Sequence, residues 1–245
     1  GKLNLIKIFS RDDLLKFALL GFLNPCLYYI ILFKGYDALP AQEAMVINFS
    51  WPVMLVILSI PILKQTIDLK SFLSIIVCYF GVVVIATNGD IFSMQFENPF
   101  GVFLMLISTV IWSLFWLFNT KNSHDSLVSL FLIFLFSFPF ILGLVVITNS
   151  FVIPSLEGLI GSIYIGFFEM GVSLVLWQSA LKISTTVSRV ASLVFITPFL
   201  SLIILYLVLG EKILISTVTG IILICAGLLL QKYFTNKATK NSRSV

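Results

Sequence analysis

The stretch AMVINFSWPVMLVILSIPIL, residues 44–63, decides the fold class. It contains no charge and is long enough for a helix to cross the roughly 30 Å hydrocarbon core of a bilayer. Similar charge-free runs occupy residues 71–89, 98–120, 190–210 and 213–231. Barrel strands would instead alternate apolar and polar residues over about ten positions. The sequence therefore predicts an all-α integral membrane protein.

Composition points to the same class. Of the 245 residues, 59% are hydrophobic and only 11% are charged, whereas about 25% of a soluble domain is charged. The mean hydropathy is +1.10. Because the chain lacks the charge to cover a water-facing surface, we expect the lipid bilayer to surround it. Its formal charge of +4 therefore does not indicate a nucleic-acid partner.

Eight spans follow when the polar turns are taken as boundaries. We predict them at 14–33, 38–63, 71–88, 99–118, 126–148, 158–181, 185–209 and 213–231. The charge-free stretch 126–156 is too long for one span, so we expect a turn at residues 148–150, ahead of Pro154. No connection is long enough to separate domains. Residues 1–245 are therefore predicted to form a single membrane domain, with a basic tail at 232–245.

The basic residues fall almost entirely on one side of this topology. With the N-terminus in the cytoplasm, the cytoplasmic side holds Lys2, Lys7, Arg11, Lys16, Lys64, Lys70, Lys121, Lys182, Arg189, Lys232, Lys237, Lys240 and Arg243. The other side holds only Lys34 and Lys212. Cytoplasmic loops of membrane proteins carry an excess of Lys and Arg. Both termini are therefore predicted to be cytoplasmic, in a prokaryotic inner (plasma) membrane, with an organellar membrane as the alternative.

A shift of the sequence along itself by 146 residues aligns its two halves without a gap. Under this shift, Phe49 falls on Phe195, Pro52 on Pro198, Ser74 on Gly220 and Gly81 on Gly227. Five spans separate each residue from its copy, and because five is odd, the two copies face opposite ways across the membrane. Inverted repeats of this kind are typical of secondary transporters, whose substrate site lies near the midplane between the repeats.

The two copies differ in length. Residues 14–88 contain three predicted spans, and residues 99–231 contain five. The simplest account is a ten-helix plan of two inverted five-helix repeats, of which this chain contains eight helices and lacks the first two. A chance overlap of apolar helices is the alternative account.

Several short motifs carry a resemblance to a known family. The first half contains Tyr28-Tyr29, the stretch from Lys34 to Ala44, and Asn48-Phe49-Ser50-Trp51-Pro52. The second half contains Trp177-Gln178-Ser179-Ala180-Leu181, Thr197-Pro198, and Leu209-Gly210-Glu211-Lys212 followed by Gly220 and Gly227. In pattern, order and spacing these residues resemble the drug/metabolite transporter superfamily, in its EamA-type branch. The segment from Glu43 to Pro52, with Ile111-Trp112 and Lys121, is similar to the aromatic amino-acid exporters of that superfamily.

The resemblance implies ten helices in two inverted repeats around a central substrate cavity. It also implies transport of small metabolites, typically the export of amino acids or related compounds. Against that pattern, we expect this chain to lack the first two helices, which help to line the cavity in relatives.

Glu169 is the most informative single residue, because it lies near the centre of the predicted span 158–181. A carboxylate at the bilayer centre costs about 2.5–3.5 kcal/mol on insertion scales, so we expect it to face the bundle interior or water. We predict that it binds a substrate ammonium group or carries a coupling proton. A protonated acid with a purely structural role is the alternative.

Glu43 and Arg189 occupy equivalent positions of the repeat. Glu43 is predicted to form a gate or substrate contact near the outer mouth, and stabilisation by the helix dipole is the alternative. Arg189 is predicted to contact a carboxylate at an inner gate, and a snorkelling topology marker is the alternative. Because the repeat places them toward opposite faces of the membrane, we do not expect them to pair directly.

The remaining candidates lie deeper in the predicted spans. Pro52 and Pro198 are predicted to take part in gating, because a proline within a span frees backbone carbonyls that can line a cavity. The predicted substrate-binding residues are Glu169, Glu43, Asn48, Trp51, Trp112, Trp116, Trp177 and Tyr28. For the aromatic members, packing alone is the alternative.

Chemistry other than transport has little support in the sequence. The cysteines Cys26, Cys78 and Cys225 lie in apolar runs without metal-ligand spacing, and His124 is the only histidine. We therefore predict neither an enzyme nor a bound metal or cofactor. The prediction is a secondary active transporter that exports small metabolites such as amino acids by alternating access, with protons as a candidate coupling ion. A homodimer is compatible with the sequence. A non-transporting membrane protein, either an embedded enzyme or a truncated scaffold, is the alternative.

Overall fold

The computed structural model describes residues 9–94, 98–197, 200 and 214–241. These residues form helices joined by short turns, without a strand among them. We number the helices α1 Arg11–Gly21, α2 Tyr28–Ala38, α3 Ala41–Asn48, α4 Trp51–Leu63, α5 Leu69–Ala86, α6 Pro99–Lys121, α7 Ser126–Ile147, α8 Leu156–Tyr164, α9 Leu174–Ile183, α10 Val187–Ala191 and α11 Ile215–Asn241. The fold is therefore all-α over the described part of the chain.

Six segments within these ranges are long and apolar enough to cross a membrane. They are Arg11–Ala38, Glu43–Leu63, Leu69–Ala86, Pro99–Lys121, Ser126–Ile147 and Leu156–Ile183. The eighth predicted span begins with α11, whose apolar part is the shorter segment Ile215–Gln231. The seventh predicted span, 185–209, is described only at residues 185–197 and 200. The count of eight spans therefore stays a prediction.

Local capping fixes several helix ends. Ser10 and Asp13 form a reciprocal capping box at the start of α1, and the Asp125 carboxylate accepts hydrogen bonds from the first turn of α7. Lys64 ends α4 in the left-handed region, with φ of 54°. A turn follows α7, in which Asn149 has φ of 50°. These polar caps satisfy backbone groups that a helix leaves unpaired at its ends.

Three of the predicted spans are not regular helices throughout. The span 38–63 is interrupted at Phe49-Ser50, where α3 ends and α4 begins. A kink at Asn24, whose backbone is extended with φ of -145° and ψ of 123°, joins α1 to α2 within Phe22–Leu27. π-Helical geometry joins α8 to α9 over Ile165–Ser173. The prolines explain part of this pattern, because a proline has no N–H to donate along the helix. Pro52 consequently lies in the first turn of a new helix, where that N–H is not needed.

The chain divides into two compact units. Unit 1 comprises Gly1–Ile30 and Phe118–Ile183, and unit 2 comprises Ile31–Leu117 and Ser184–Val245. In unit 1, α1 and the irregular segment after it pack against α7, where the Phe22 and Phe140 rings lie 5.3 Å apart. In unit 2, the main packing is between α5 and α11. The predicted boundaries at 14–88 and 99–231 follow the repeat instead and stay a prediction.

Candidate functional site

The candidate residues of unit 2 include an aromatic cluster beside the break between α3 and α4. The Trp51 ring lies edge-on to Trp112 at 6.1 Å, and Trp112 lies edge-on to Trp116 at 5.6 Å. The Ser113 hydroxyl donates a hydrogen bond of 3.2 Å to the Trp51 carbonyl and thereby ties α6 to the start of α4. Trp116 is fully buried, whereas Trp51 and Trp112 are partly exposed. Only these last two rings offer open aromatic surface to a ligand without rearrangement.

The acidic and amide candidates of unit 2 lie on α3. Glu43 is buried in the first turn of this helix, which follows Pro40. Asn48 is its last residue and donates a hydrogen bond of 3.3 Å to the Tyr36 hydroxyl. The Tyr79 hydroxyl donates to the Val46 carbonyl at 3.1 Å and so fixes α3 against α5. Glu43 and Asn48 therefore lie on a short helix that a hydrogen bond attaches to α5.

Arg189 lies on the five-residue helix α10, which distant side chains hold in place. The Val187 backbone N–H donates a hydrogen bond of 3.0 Å to the Gln65 side chain. The Gln231 amide donates another, of 2.6 Å, to the Ser188 carbonyl. Sequence reasoning missed both glutamines, although an amide at the end of the charge-free run 213–231 was a visible signal for Gln231. Pro198, the other gating candidate nearby in the chain, lies outside the described residues.

Unit 1 contains the remaining candidates, Tyr28, Glu169 and Trp177. Tyr28 is buried and stacks edge-on with Tyr29 at 4.9 Å. The Tyr29 hydroxyl lies 3.6 Å from the Met170 sulfur, and its phenol interacts electrostatically with the Glu169 carboxylate. Glu169 itself is exposed within the π-helical segment. The structure thus brings Glu169 near Tyr29, a residue that sequence reasoning did not select for the site.

Trp177 lies on α9 beside a buried amide. Gln178 has no exposed surface, and neither of its amide atoms has a hydrogen-bond partner among the described residues. A buried amide without a partner costs about 1–3 kcal/mol, so such a group is rarely kept without a role. Its position in an otherwise apolar helix was the available sequence signal. We therefore add Gln178 to the candidate residues of unit 1.

The described candidates thus fall into two groups. Unit 2 holds Glu43, Asn48, Trp51, Pro52, Trp112, Trp116 and Arg189, and unit 1 holds Tyr28, Glu169 and Trp177. Acids, amides and aromatic rings of this kind bind ammonium groups and apolar side chains. No group of three or more His, Cys, Asp or Glu residues suited to a metal occurs in the part of the chain that the structure describes.

Comparison with known protein families identifies the family of this chain. Residues 2–87 and 99–231 match the EamA-like transporter family. The chain belongs to this family. The EamA-like assignment covers both halves of the sequence and establishes a multi-pass integral membrane protein with a transporter role.

Individual relatives of this EamA-like protein agree. An uncharacterized transporter of Clostridium kluyveri is 27% identical over 243 residues, which are 96% of this chain and 77% of the relative. An uncharacterized transporter of Archaeoglobus fulgidus is 28% identical over 225 residues, which are 88% of this chain and 76% of the relative. A crystal structure with 16% sequence identity superposes with a TM-score of 0.79 over 91% of this chain and 79% of the other. That similarity concerns the fold alone.

Proposed function

We propose that this EamA-like protein is a secondary transporter that exports small metabolites of the amino-acid type by alternating access. The family and both relatives support the transporter role. The similarity of Glu43 to Pro52 to aromatic amino-acid exporters supports the substrate class and the direction. The aromatic cluster around Trp51 and Trp112 is compatible with an apolar substrate side chain.

The observation that carries the proposal is the packing of α5 against α11. Under the shift of 146 residues, Cys78 corresponds to Ile224. The Cys78 thiol lies 3.6 Å from the Ile224 carbonyl, so this position contacts its own counterpart in the other copy. A residue meets its own copy only on the axis of a two-fold arrangement. This contact supports an inverted repeat.

The neighbouring small residues follow the same exchange. Ser74 corresponds to Gly220, and Gly81 corresponds to Gly227. Gly81 lies against Gly220, which is the counterpart of Ser74. Gly227, which is the counterpart of Gly81, lies against Ser74 itself. This reciprocal pattern is what a two-fold axis produces, and small residues let the two backbones approach closely.

Helix boundaries also recur at this spacing. α3 and α10 begin at Ala41 and Val187, and α5 and α11 begin at Leu69 and Ile215, in both cases 146 residues apart. The irregular segment Phe22–Leu27 corresponds to the second half of Ile165–Ser173. Secondary transporters commonly place substrate and coupling ions at interrupted helices of inverted repeats. The recurrence therefore supports two equivalent broken helices near the substrate path.

In the proposed mechanism, Glu169 binds the substrate ammonium group or a coupling proton beside Tyr29. In unit 2, the indole rings of Trp51 and Trp112 and the Asn48 amide are the proposed substrate contacts. Glu43 and Arg189 act at opposite mouths, consistent with their equivalent positions in the repeat. The excess of Lys and Arg on one side supports cytoplasmic termini.

The test is counterflow of radiolabelled amino acids, aromatic ones first, in proteoliposomes that contain the purified chain. We expect saturable flux that falls by about tenfold or more in Glu169→Gln, since one substrate or proton contact worth at least 1.4 kcal/mol is lost. Glu157→Gln is the matched control, because Glu157 lies exposed in the first turn of α8, within the same membrane segment Leu156–Ile183. Parental flux in both Glu169→Gln and Asn48→Ala would remove these residues from the site. Absence of saturable flux of every amino acid in the parental protein would support the alternative, a non-transporting membrane protein.

A further inference from the structure

A groove of about 710 Å³ lies in unit 1, between residues 13–23, which belong to α1 and the irregular segment after it, and the end of α6 with the turn that follows it. One end is lined by Lys16, Lys121 and His124. The walls include Leu19, Phe22 and Phe118. The groove thus has a polar mouth and an apolar body, and the proposed transport path does not account for it.

The mouth carries more positive than negative charge. Its one carboxylate, Asp13, lies 3.6 Å from the Lys16 ammonium and 3.5 Å from the His124 ring nitrogen, and it also caps α1 through Ser10. The Lys16 side chain is 70% exposed, and such an exposed ion pair is worth only about 0–1 kcal/mol. Lys16 is therefore available to a second anion, together with the exposed Lys121.

The walls of the groove present apolar surface. Leu19 is 61% exposed, Phe22 is 43% exposed and Phe118 is 47% exposed. Leu19 and Phe22 lie three and six residues beyond Lys16 along the chain, which corresponds to roughly 5–9 Å of helix rise. The apolar surface therefore lies deeper in the bilayer than the lysines, as acyl chains lie deeper than a headgroup.

We propose that this groove binds one anionic phospholipid, whose phosphate lies between Lys16 and Lys121 and whose acyl chains follow Leu19, Phe22 and Phe118. Charge complementarity selects the headgroup, because a zwitterionic lipid gains less from two ammonium groups. The apolar walls select a lipid over a soluble anion. Basic pockets between membrane helices bind anionic headgroups by the same combination. This site is independent of the proposed transport activity.

The test is native mass spectrometry of the detergent-purified chain, titrated with phosphatidylglycerol and, separately, with phosphatidylcholine. We expect one phosphatidylglycerol to bind in preference to phosphatidylcholine. In Lys16→Gln/Lys121→Gln its affinity falls by about tenfold, because charge-assisted contacts to the phosphate are lost. Lys34→Gln/Lys64→Gln is the matched control, since both of these lysines are exposed and lie outside the groove. This control keeps the parental affinity.

A second variant tests the sign of the charge effect. Asp13→Asn keeps a side-chain oxygen for the cap but removes the negative charge beside Lys16. We expect phosphatidylglycerol to bind about two- to threefold more tightly, the gain expected when one weak competing ion pair is removed. Melting temperatures measured without lipid establish that each variant is folded.

Three results would overturn the proposal. One is equal binding of phosphatidylcholine and phosphatidylglycerol by the parental protein. Another is unchanged phosphatidylglycerol affinity in a folded Lys16→Gln/Lys121→Gln variant. The third is displacement of the bound lipid by millimolar inorganic phosphate, which would indicate a site for a soluble anion.

Discussion

Gln65 holds the first turn of α10 although it belongs to the turn after α4. Its side-chain oxygen accepts the Val187 N–H, and Val187 is only 1% exposed. Gln65→Ala leaves this buried donor unpaired, so we expect the free energy of unfolding to fall by about 1–3 kcal/mol. Apparent melting temperatures in one detergent measure the change.

The matched variant is Gln65→Glu, which keeps a side-chain acceptor at the same position and adds a charge that a helix N-terminus favours. We expect its stability to lie within about 0.5 kcal/mol of the parental value, as for most surface substitutions. Equal loss in both variants would show that the amide packs against α10 and that its hydrogen bond contributes little.

For single residues, the sequence predicted how deep a side chain lies in the membrane but not which residues it contacts. The centre of an apolar run located Glu169, but the contact between Tyr29 and Met170 joins positions 141 residues apart. No local pattern encodes such a contact. Gln178 was visible as an amide in an apolar helix, yet its complete burial depends on which helices surround it.

Among the helices, the close approach of α5 and α11 gives the sharpest test. A Cβ atom built on Gly227 would lie 2.8 Å from the Ser74 carbonyl oxygen and would overlap the Cys78 sulfur. We expect Gly227→Ala to lower the free energy of unfolding by about 1–3 kcal/mol, the usual cost of overpacking. Gly143→Ala in α7 is the control, because a Cβ there meets nothing within 4 Å.

The same substitution should act in the opposite direction at the control position. Alanine favours a helix by about 1 kcal/mol over glycine, so Gly143→Ala should raise the melting temperature slightly while Gly227→Ala lowers it. Destabilisation of equal size at both positions would contradict the close packing of α5 and α11.

Most of the long apolar helices were predictable to within about three residues, as with 126–148 against the observed Ser126–Ile147. The predicted span 14–33, in contrast, ends five residues before Ala38, where the observed segment ends. Their length and absence of charge are sufficient, because the bilayer fixes both. The interruptions were harder to predict. Pro25 lies inside the predicted span 14–33 and was a usable signal for the irregular segment there. The π-helical segment around Glu169 contains no proline and has no buried residue, although it includes Gly166 and Gly171.

For the whole molecule, the proposed orientation yields a direct labelling experiment. In a variant with Cys26, Cys78 and Cys225 replaced by alanine, Arg243→Cys should react with a membrane-impermeant maleimide only after the cells are permeabilised. Lys34→Cys should react in intact cells, because positions 34 and 243 are predicted to lie on opposite sides. Labelling of both in intact cells would contradict the predicted topology.

The proposed inverted repeat shows how much of a whole fold a single sequence can predict. Despite the low identity between the halves, Phe49, Pro52 and Gly81 fall on identical residues and Ser74 on another small residue at one spacing. The reciprocal contacts of α5 and α11 agree with that spacing. The substrate class rests on resemblance, because the rings and acids of a cavity are compatible with many small molecules. The repeat did not predict that the candidate residues would be divided between two compact units.

The pairing of α5 with α11 also affects biosynthesis, because the ribosome makes α11 well after α5. About 130 residues separate the end of one helix from the start of the other, and a ribosome adds about 5–20 residues per second. The face of α5 with Ser74, Cys78 and Gly81 therefore stays in the membrane without its final neighbour for roughly 6–26 s. During that interval, lipid or another helix must cover the face, and insertion factors that shield nascent helices would act at this stage.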